Sequence, residues 1–154
     1  MASVTARIER TPYETHLSTA SQVIVVDEPL DMGGQDRGMR PGELLASSLA
    51  SCTVITLRMY ADRKGWPLDS AVAHVEYTHD TQQKRSQFTM KLILNGDLTA
   101  EQRLRLLEIA DRCPVHRVLE NPVDFDTTLV DAPHYHESSS TDSKHLNENP
   151  SLLP

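Results

Sequence analysis

A chain of 154 residues has the length of one ordinary domain and can bury a core without disulfide staples. Its 22 Asp plus Glu against 15 Lys plus Arg leave a net charge of −7, which argues against a nucleic-acid partner, because neutralising phosphates takes a basic surface. No continuous apolar run approaches the roughly 20 residues of a bilayer span and the N-terminus lacks the zones of a secretory signal, so no membrane association is expected and the cytoplasm is the default location.

Thr5 to Arg10 and Ser21 to Val26 are rich in β-branched residues and predict an N-terminal antiparallel hairpin or meander. Asp27 to Gly42 holds Pro29, Gly33, Gly34, Gly38, Pro41 and Gly42, a density of backbone punctuators that predicts a long shaped loop. Its glycines do not form a phosphate-binding loop, since no Gly-Lys-Ser/Thr follows. A helix is expected from about Pro41 to Lys64. Proline suits its first position, Leu45, Leu49, Cys52, Thr56 and Met59 recur at three and four spacing, and Gly65-Trp66-Pro67 supplies a stop. Leu44, Ser48, Ser51 and Ile55 form a second stripe, so most of the first turns should be buried, and Ala46, Ser47, Ala50 and Ser51 are small enough for another backbone to approach closely.

Ala71 to Thr78 and Gln87 to Leu94 alternate as strands, the second with Phe88, Met90, Leu92 and Leu94 on one face. Thr99 and Gln102 match a capping box opening a second helix. Leu104, Leu107, Glu108 and Asp111 follow at helical spacing, with Leu106 and Ala110 widening the apolar side. Pro114 should end that helix at or near Cys113, and Val115 to Glu120 should add a short helical turn. Val123 to Val130 reads as a last strand. The order strands, helix, strands, helix, strand points to an α+β fold over residues 1–136, with a polar tail, 137–154, expected to be disordered.

Cys52 and Cys113 are the only thiols, too few for a disulfide framework; in a reducing compartment a bond between them would be transient and catalytic rather than structural. A thiolate is the reactive form, and a free cysteine titrates near ~8.5 unless a cation or a helix N-terminus stabilises its charge. Cys52 lies well inside its helix, so it needs a cation from elsewhere, and Arg7, Arg10, Arg37 and Arg40 all precede it. The bland reading is a small hydrophobe packed in a helix. Cys113 stands at a helix end beside Arg112, His116 and Arg117, a cationic setting that favours reactivity; its bland reading is a gap-filler before proline. Cys113 and His116 have C-x-x-H spacing and His134 and His136 H-x-H spacing, but structural zinc takes four ligands, and solvated histidines are the plainer account. No metal or cofactor is expected.

Asp27-Glu28-Pro29, Gly33-Gly34, Pro41 with Glu43-Leu44-Leu45, Ser51-Cys52-Thr53, the run Thr56 to Trp66, and Cys113-Pro114-Val115-His116 together resemble the OsmC/Ohr family of osmotically inducible and organic hydroperoxide resistance proteins. The resemblance spans about Val4 to Val130. It implies a curved antiparallel sheet wrapped around two central helices, an intertwined homodimer with active sites at the subunit interface, and thiol-dependent reduction of organic hydroperoxides without metal or haem. Carried over by motif, Cys52 would be the attacking cysteine and Cys113 the resolving one. An external dithiol would then reset the disulfide, typically a lipoyl group in the hydroperoxide resistance branch.

The family's activating arginine comes from the N-terminal strands, which makes Arg7 or Arg10 the candidate here. The glutamate that orients it normally follows the proline at the helix start. This chain has Gly42 there and Glu43 next, about 100° further around a helix. The departure makes it resemble a less characterised branch. A non-catalytic redox-sensing or ligand-binding protein that keeps the fold and the thiols is therefore the second reading, and a metal-binding module the third.

Overall fold

The computed structural model describes residues 2–130. It is an α+β structure with two antiparallel sheets. Strands β1 (Thr5–Ile8), β2 (Thr15–Ser18) and β3 (Val23–Val26) make a meander, with Thr5 opposite Ser18 and Thr15 opposite Val26. Strand β2 is more than the sequence predicts. Thr-His-Leu-Ser carries little strand propensity, and pairing on both edges supplies what propensity does not.

The loop after β3 is built around one side chain. Asp27 is buried, and its carboxylate accepts four backbone N–H groups: Tyr13 (3.2 Å) and Glu28 (2.8 Å) on Oδ1, Gln35 (3.0 Å) and Arg37 (3.2 Å) on Oδ2. Burial opposes the charge, but the donors outweigh it and hold the carboxyl below its ordinary range. The chain passes so close to itself that a Cβ on Gly34 would lie 1.9 Å from the Glu28 carbonyl oxygen and one on Gly38 2.1 Å from that of Val25. Met39 then bridges Val26 and delivers the chain to the next helix.

Helix α1 (Pro41–Lys64) has the expected bounds, with Pro41 in its first turn and Gly65 closing it at φ 65°. By length and composition alone it could cross a membrane, with mean hydropathy 1.3 over 18 residues. A core helix meets the same test, and this one buries Leu49, Thr53, Leu57 and Ala61, a single i, i+4 row. The burial expected over most of its first turns does not occur: of residues 41–52 only Leu49 is buried and Leu45 is exposed, and further along Ile55 and Met59 are exposed too. Strands β4 (Ser70–Asp80) and β5 (Arg85–Asn95) form a long hairpin, Ser70 opposite Asn95 and Asp80 opposite Arg85. Alternate residues, from Ala71 to Tyr77 and from Phe88 to Leu94, form its more buried face, and β4 packs on α1.

Thr99 caps α2 (Ala100–Ala110) reciprocally with Gln102: Gln102 N donates to Thr99 Oγ1 at 3.2 Å, and Thr99 N to Gln102 Oε1 at 2.9 Å. The buried face of α2 is Leu106, Ile109 and Ala110, whereas Leu104 and Leu107 of the expected stripe are exposed. These residues join Leu57, Ala61, Leu68 and Leu98 in one core, bordered by Tyr60 and Trp66 in edge-to-face contact at 5.5 Å. A short α3 (Pro114–Glu120) follows. The strand expected at Val123 to Val130 does not form: the segment is paired with nothing among the described residues, and Phe125 and Leu129 are exposed. A strand exists only where its backbone groups meet another strand. The boundary after residue 136, the tail 137–154, and His134 and His136 lie outside the described residues.

Candidate active site

Pro114 sets the geometry of one thiol. A residue before proline is pushed to extended backbone, and Cys113 obeys, at φ −65° and ψ 147°. It thereby becomes the N-cap of α3, with its sulfur turned toward the first helical turn. The backbone N–H of His116 donates to Cys113 Sγ at 3.3 Å, and from α1 the hydroxyl of Thr53, fully buried, donates at 3.5 Å. Cys113 is itself completely buried.

Thr53 immediately follows Cys52, so this contact brings Cys113 onto α1 one residue from the other thiol. Cys52 is half-buried, and among the described residues no hydrogen bond reaches its sulfur. Both cysteines are free. Cys113 is thus sealed and held by two donors, whereas Cys52 is partly exposed and, among the described residues, its sulfur is held by none.

A cleft of about 360 Å³ lies between α1, β5 and α3, and neither cysteine is among its lining residues. Leu49, one turn before Cys52, lines it together with Phe88 and Met90 of β5 and Asp111, His116, Leu119 and Glu120 around α3. Its lining combines apolar side chains (Leu49, Phe88, Met90, Leu119) with ionisable ones (Asp111, His116, Glu120). A second cleft, about 380 Å³, lies at the start of α1 between Met32, Arg40, Glu43, Val75 and Tyr77.

The remaining predicted residues are not gathered here within one chain. Arg7, on β1, and Arg10, just beyond it, are both exposed. Glu43 accepts from the backbone N–H of Arg40 at 2.9 Å and from its guanidinium at 3.0 Å; that backbone N–H and then the guanidinium hold the Glu43 carboxyl below its ordinary value. Glu43 is therefore both a helix N-terminal charge and an arginine partner, and the arginine is Arg40. Nine residues separate Glu43 from Cys52, which puts them roughly 13 Å apart along the axis and about 180° around it. Arg37 is engaged by Glu14 at 2.6 Å. Among the described residues no three or more His, Cys, Asp or Glu side chains are arranged to hold a metal.

Sequence reasoning missed Thr53 as a thiol partner, for lack of any local signal: the contact joins residues 60 apart. The Arg40–Glu43 pair was findable, because a glutamate three residues after a helix-capping position is the reciprocal half of a capping box.

No curated protein matches the chain in sequence. Solved structures with the same fold include an OsmC-like protein from Mycoplasma pneumoniae, with TM-score 0.67 and 18% identity over 77% of this chain and 86% of that one. An organic hydroperoxide resistance protein OsmC from Legionella pneumophila gives TM-score 0.58 and 19% identity over 80% and 93%. The organic hydroperoxide resistance protein OhrB of Bacillus subtilis gives 0.55 and 24% over the same shares. At these identities the likeness is one of fold. The family model for OsmC-like protein matches residues 33–128, a span that contains both thiols, the Asp111–Glu120 cluster and α1, and the chain belongs to that family.

Proposed function

We propose that the protein is a thiol-dependent peroxidase of organic hydroperoxides, with Cys52 as the attacking cysteine and Cys113 as the resolving one. The observation that carries this reading is the Thr53 hydroxyl on Cys113 Sγ at 3.5 Å, which seats a sealed thiol one residue from an accessible one. Two relatives of the same fold named for organic hydroperoxide resistance support the substrate class. A Cys52 thiolate attacks the distal peroxide oxygen, the O–O bond breaks, and the alkoxide leaves and is protonated to the alcohol. Cys113 then displaces hydroxide from the resulting sulfenic acid, giving water and a disulfide, and an external dithiol reduces that disulfide as it becomes oxidised itself.

The working unit in this proposal is a homodimer in the cytoplasm. The uncovered Leu45, Ile55 and Met59 of α1 and the segment 122–130, which joins no strand among the described residues, become subunit contacts that wrap sheet around the two long helices, and assembly brings a cation to Cys52 from Arg7, Arg10 or the Glu43-held Arg40.

The test is one equivalent of cumene hydroperoxide on reduced protein, followed by mass spectrometry. Loss of two hydrogens and a Cys52–Cys113 cross-linked peptide are expected. Cys52→Ser should abolish peroxide consumption, and Cys113→Ser should leave a sulfenic acid trappable at Cys52. Thiols that stay reduced would remove the peroxidase and leave a non-catalytic ligand-binding role.

A further inference from the structure

Two threonines three residues apart on α1 use their hydroxyls differently. Thr56 donates to the carbonyl of Cys52 at 2.7 Å, the bond to i−4 that a threonine inside a helix commonly makes. For Thr53 the corresponding acceptor is the Leu49 carbonyl, but a hydroxyl has a single proton, and this one goes to Cys113 Sγ at 3.5 Å. Thr53 is fully buried, so its hydroxyl has lost water and depends on the partner it is given. That partner is a sulfur 60 residues away, a weaker acceptor than the carbonyl oxygen of its own helix. The backbone N–H of His116 reaches the same sulfur at 3.3 Å, so hydrogen bonds from α1 and from α3 are both donated to it.

We infer that Thr53 is a positioning residue for the resolving step: its hydroxyl holds the Cys113 sulfur against the turn of α1 that carries Cys52, and so decides whether a Cys52 sulfenic acid ends as a disulfide or is over-oxidised. This rests on the assignment of Cys52 and Cys113 made above. Cys52 is one residue back from Thr53, a step of about 1.5 Å along α1 and about 100° around it. In the resolving step the two sulfurs bond as the S–O bond of the sulfenic acid breaks, and the departing hydroxide and the Cys113 thiol proton leave together as water. The competing step consumes a second hydroperoxide, whose O–O bond breaks as one oxygen passes to the sulfenic acid, giving a sulfinic acid and an alcohol. Proximity decides between them, because resolution is intramolecular and its rate does not depend on peroxide, whereas over-oxidation rises with peroxide concentration. Charge stabilisation by the two donors is the smaller effect: it enriches a thiolate but lowers its nucleophilicity, with a slope of about 0.4–0.5, so only about half of the gain survives on a logarithmic scale.

Rapid-quench experiments on the full chain separate two rates after one equivalent of cumene hydroperoxide: sulfenic acid formation at Cys52, trapped with dimedone, and Cys52–Cys113 disulfide formation. Thr53→Val keeps the shape of the side chain and removes the hydroxyl. It should slow disulfide formation relative to oxidation by about tenfold or more, the scale of a hydrogen bond to a group that carries charge. In a peroxide titration, sulfinic acid at Cys52, read by mass spectrometry, should then appear at about a tenfold lower concentration than in the wild type, since the two steps compete for one intermediate. Thr53→Ser keeps the hydroxyl and loses the methyl, and should restore most of the rate, a rescue that a packing role for Thr53 would not give. A wild-type disulfide rate in Thr53→Val, or a rate in Thr53→Ser as slow as that in Thr53→Val, overturns the inference while the peroxidase stands. If Thr53→Val does not fold, equal rates in Thr53→Ser and Thr53→Ala overturn it instead. If the wild-type protein forms no sulfenic acid, the peroxidase reading falls first and this one with it.

Discussion

The two halves of the chain are finished to different degrees. The hairpin β4–β5, the C-terminal half of α1 and α2 close on themselves: Leu57, Ala61 and Leu106 are fully buried, and the inward residues of both hairpin strands are at least half-covered. The meander, the outer faces of α1 and the 121–130 segment do not. Ile8, Val23, Ile24, Leu45, Ile55, Met59 and Phe125 all face solvent. Scattered exposed apolar residues are ordinary, and the hairpin and α2 have theirs in Val72, Ile93, Leu104 and Leu107, but of the whole meander only Val26 is buried. The closed half supplies rigidity, and the two thiols sit where it meets the open half.

The sharpest way to break this contrast is to cut the closed half. Leu106→Ala removes a fully buried side chain, and should cost about 2–5 kcal/mol, read as a lower urea midpoint with unchanged slope. A loss below about 1 kcal/mol would mean the core is not closed as described.

Acid should act next, and on the seam. Asp27 is buried, which alone would raise its pKa, but the N–H groups of Arg37, Glu28, Gln35 and Tyr13 bring the folded value below the ordinary one. The stabilisation is therefore complete above the unfolded value near ~3.9 and is lost as pH falls through the lower folded value. Amide exchange at Gln35 and Arg37 should accelerate selectively in that acid window, beyond the intrinsic pH dependence of exchange. Asp27→Asn should show weak protection there already at neutral pH. Protection that stays level down to the acid unfolding transition would show that the loop does not depend on the carboxylate.

The smallest effect on a single chain is expected in the open half. Ile24→Glu should change the stability of an isolated chain by no more than about 0.5 kcal/mol, because the side chain is already exposed. In the proposed dimer it should instead weaken association, seen by sedimentation as a shift toward monomer at micromolar concentration. A large loss of chain stability would place Ile24 in a core of its own.

Much of the layout was legible in local chemistry. Pro41 and Gly65 bound α1 because one is preorganised for a first turn and the other accepts a left-handed closure, and Thr99 with Gln102 opens α2 by a pairing readable three residues apart. Cys113 opens α3 because the next residue is proline, which forces it to extended backbone. The strands β4 and β5 follow from alternation alone. Less legible was which apolar row turns inward. On α1 the row Leu49, Thr53, Leu57, Ala61 wins over neighbouring rows of similar apolarity, and on α2 Leu106 and Ile109 displace Leu104 and Leu107. Where several faces of a helix are apolar, the partner it packs on chooses among them.

By itself, then, the amino-acid order determined the helix ends, the hairpin, the family and the two sulfurs as the atoms to watch, since each of these is encoded within a few residues. Only the tertiary structure decided that Cys113 is buried under Thr53, that Asp27 gathers four amides, and that Glu43 holds Arg40 on the far side of α1 from Cys52. Those facts join residues distant in sequence or depend on the direction a side chain takes from its backbone, and nothing short of packing the chain specifies either.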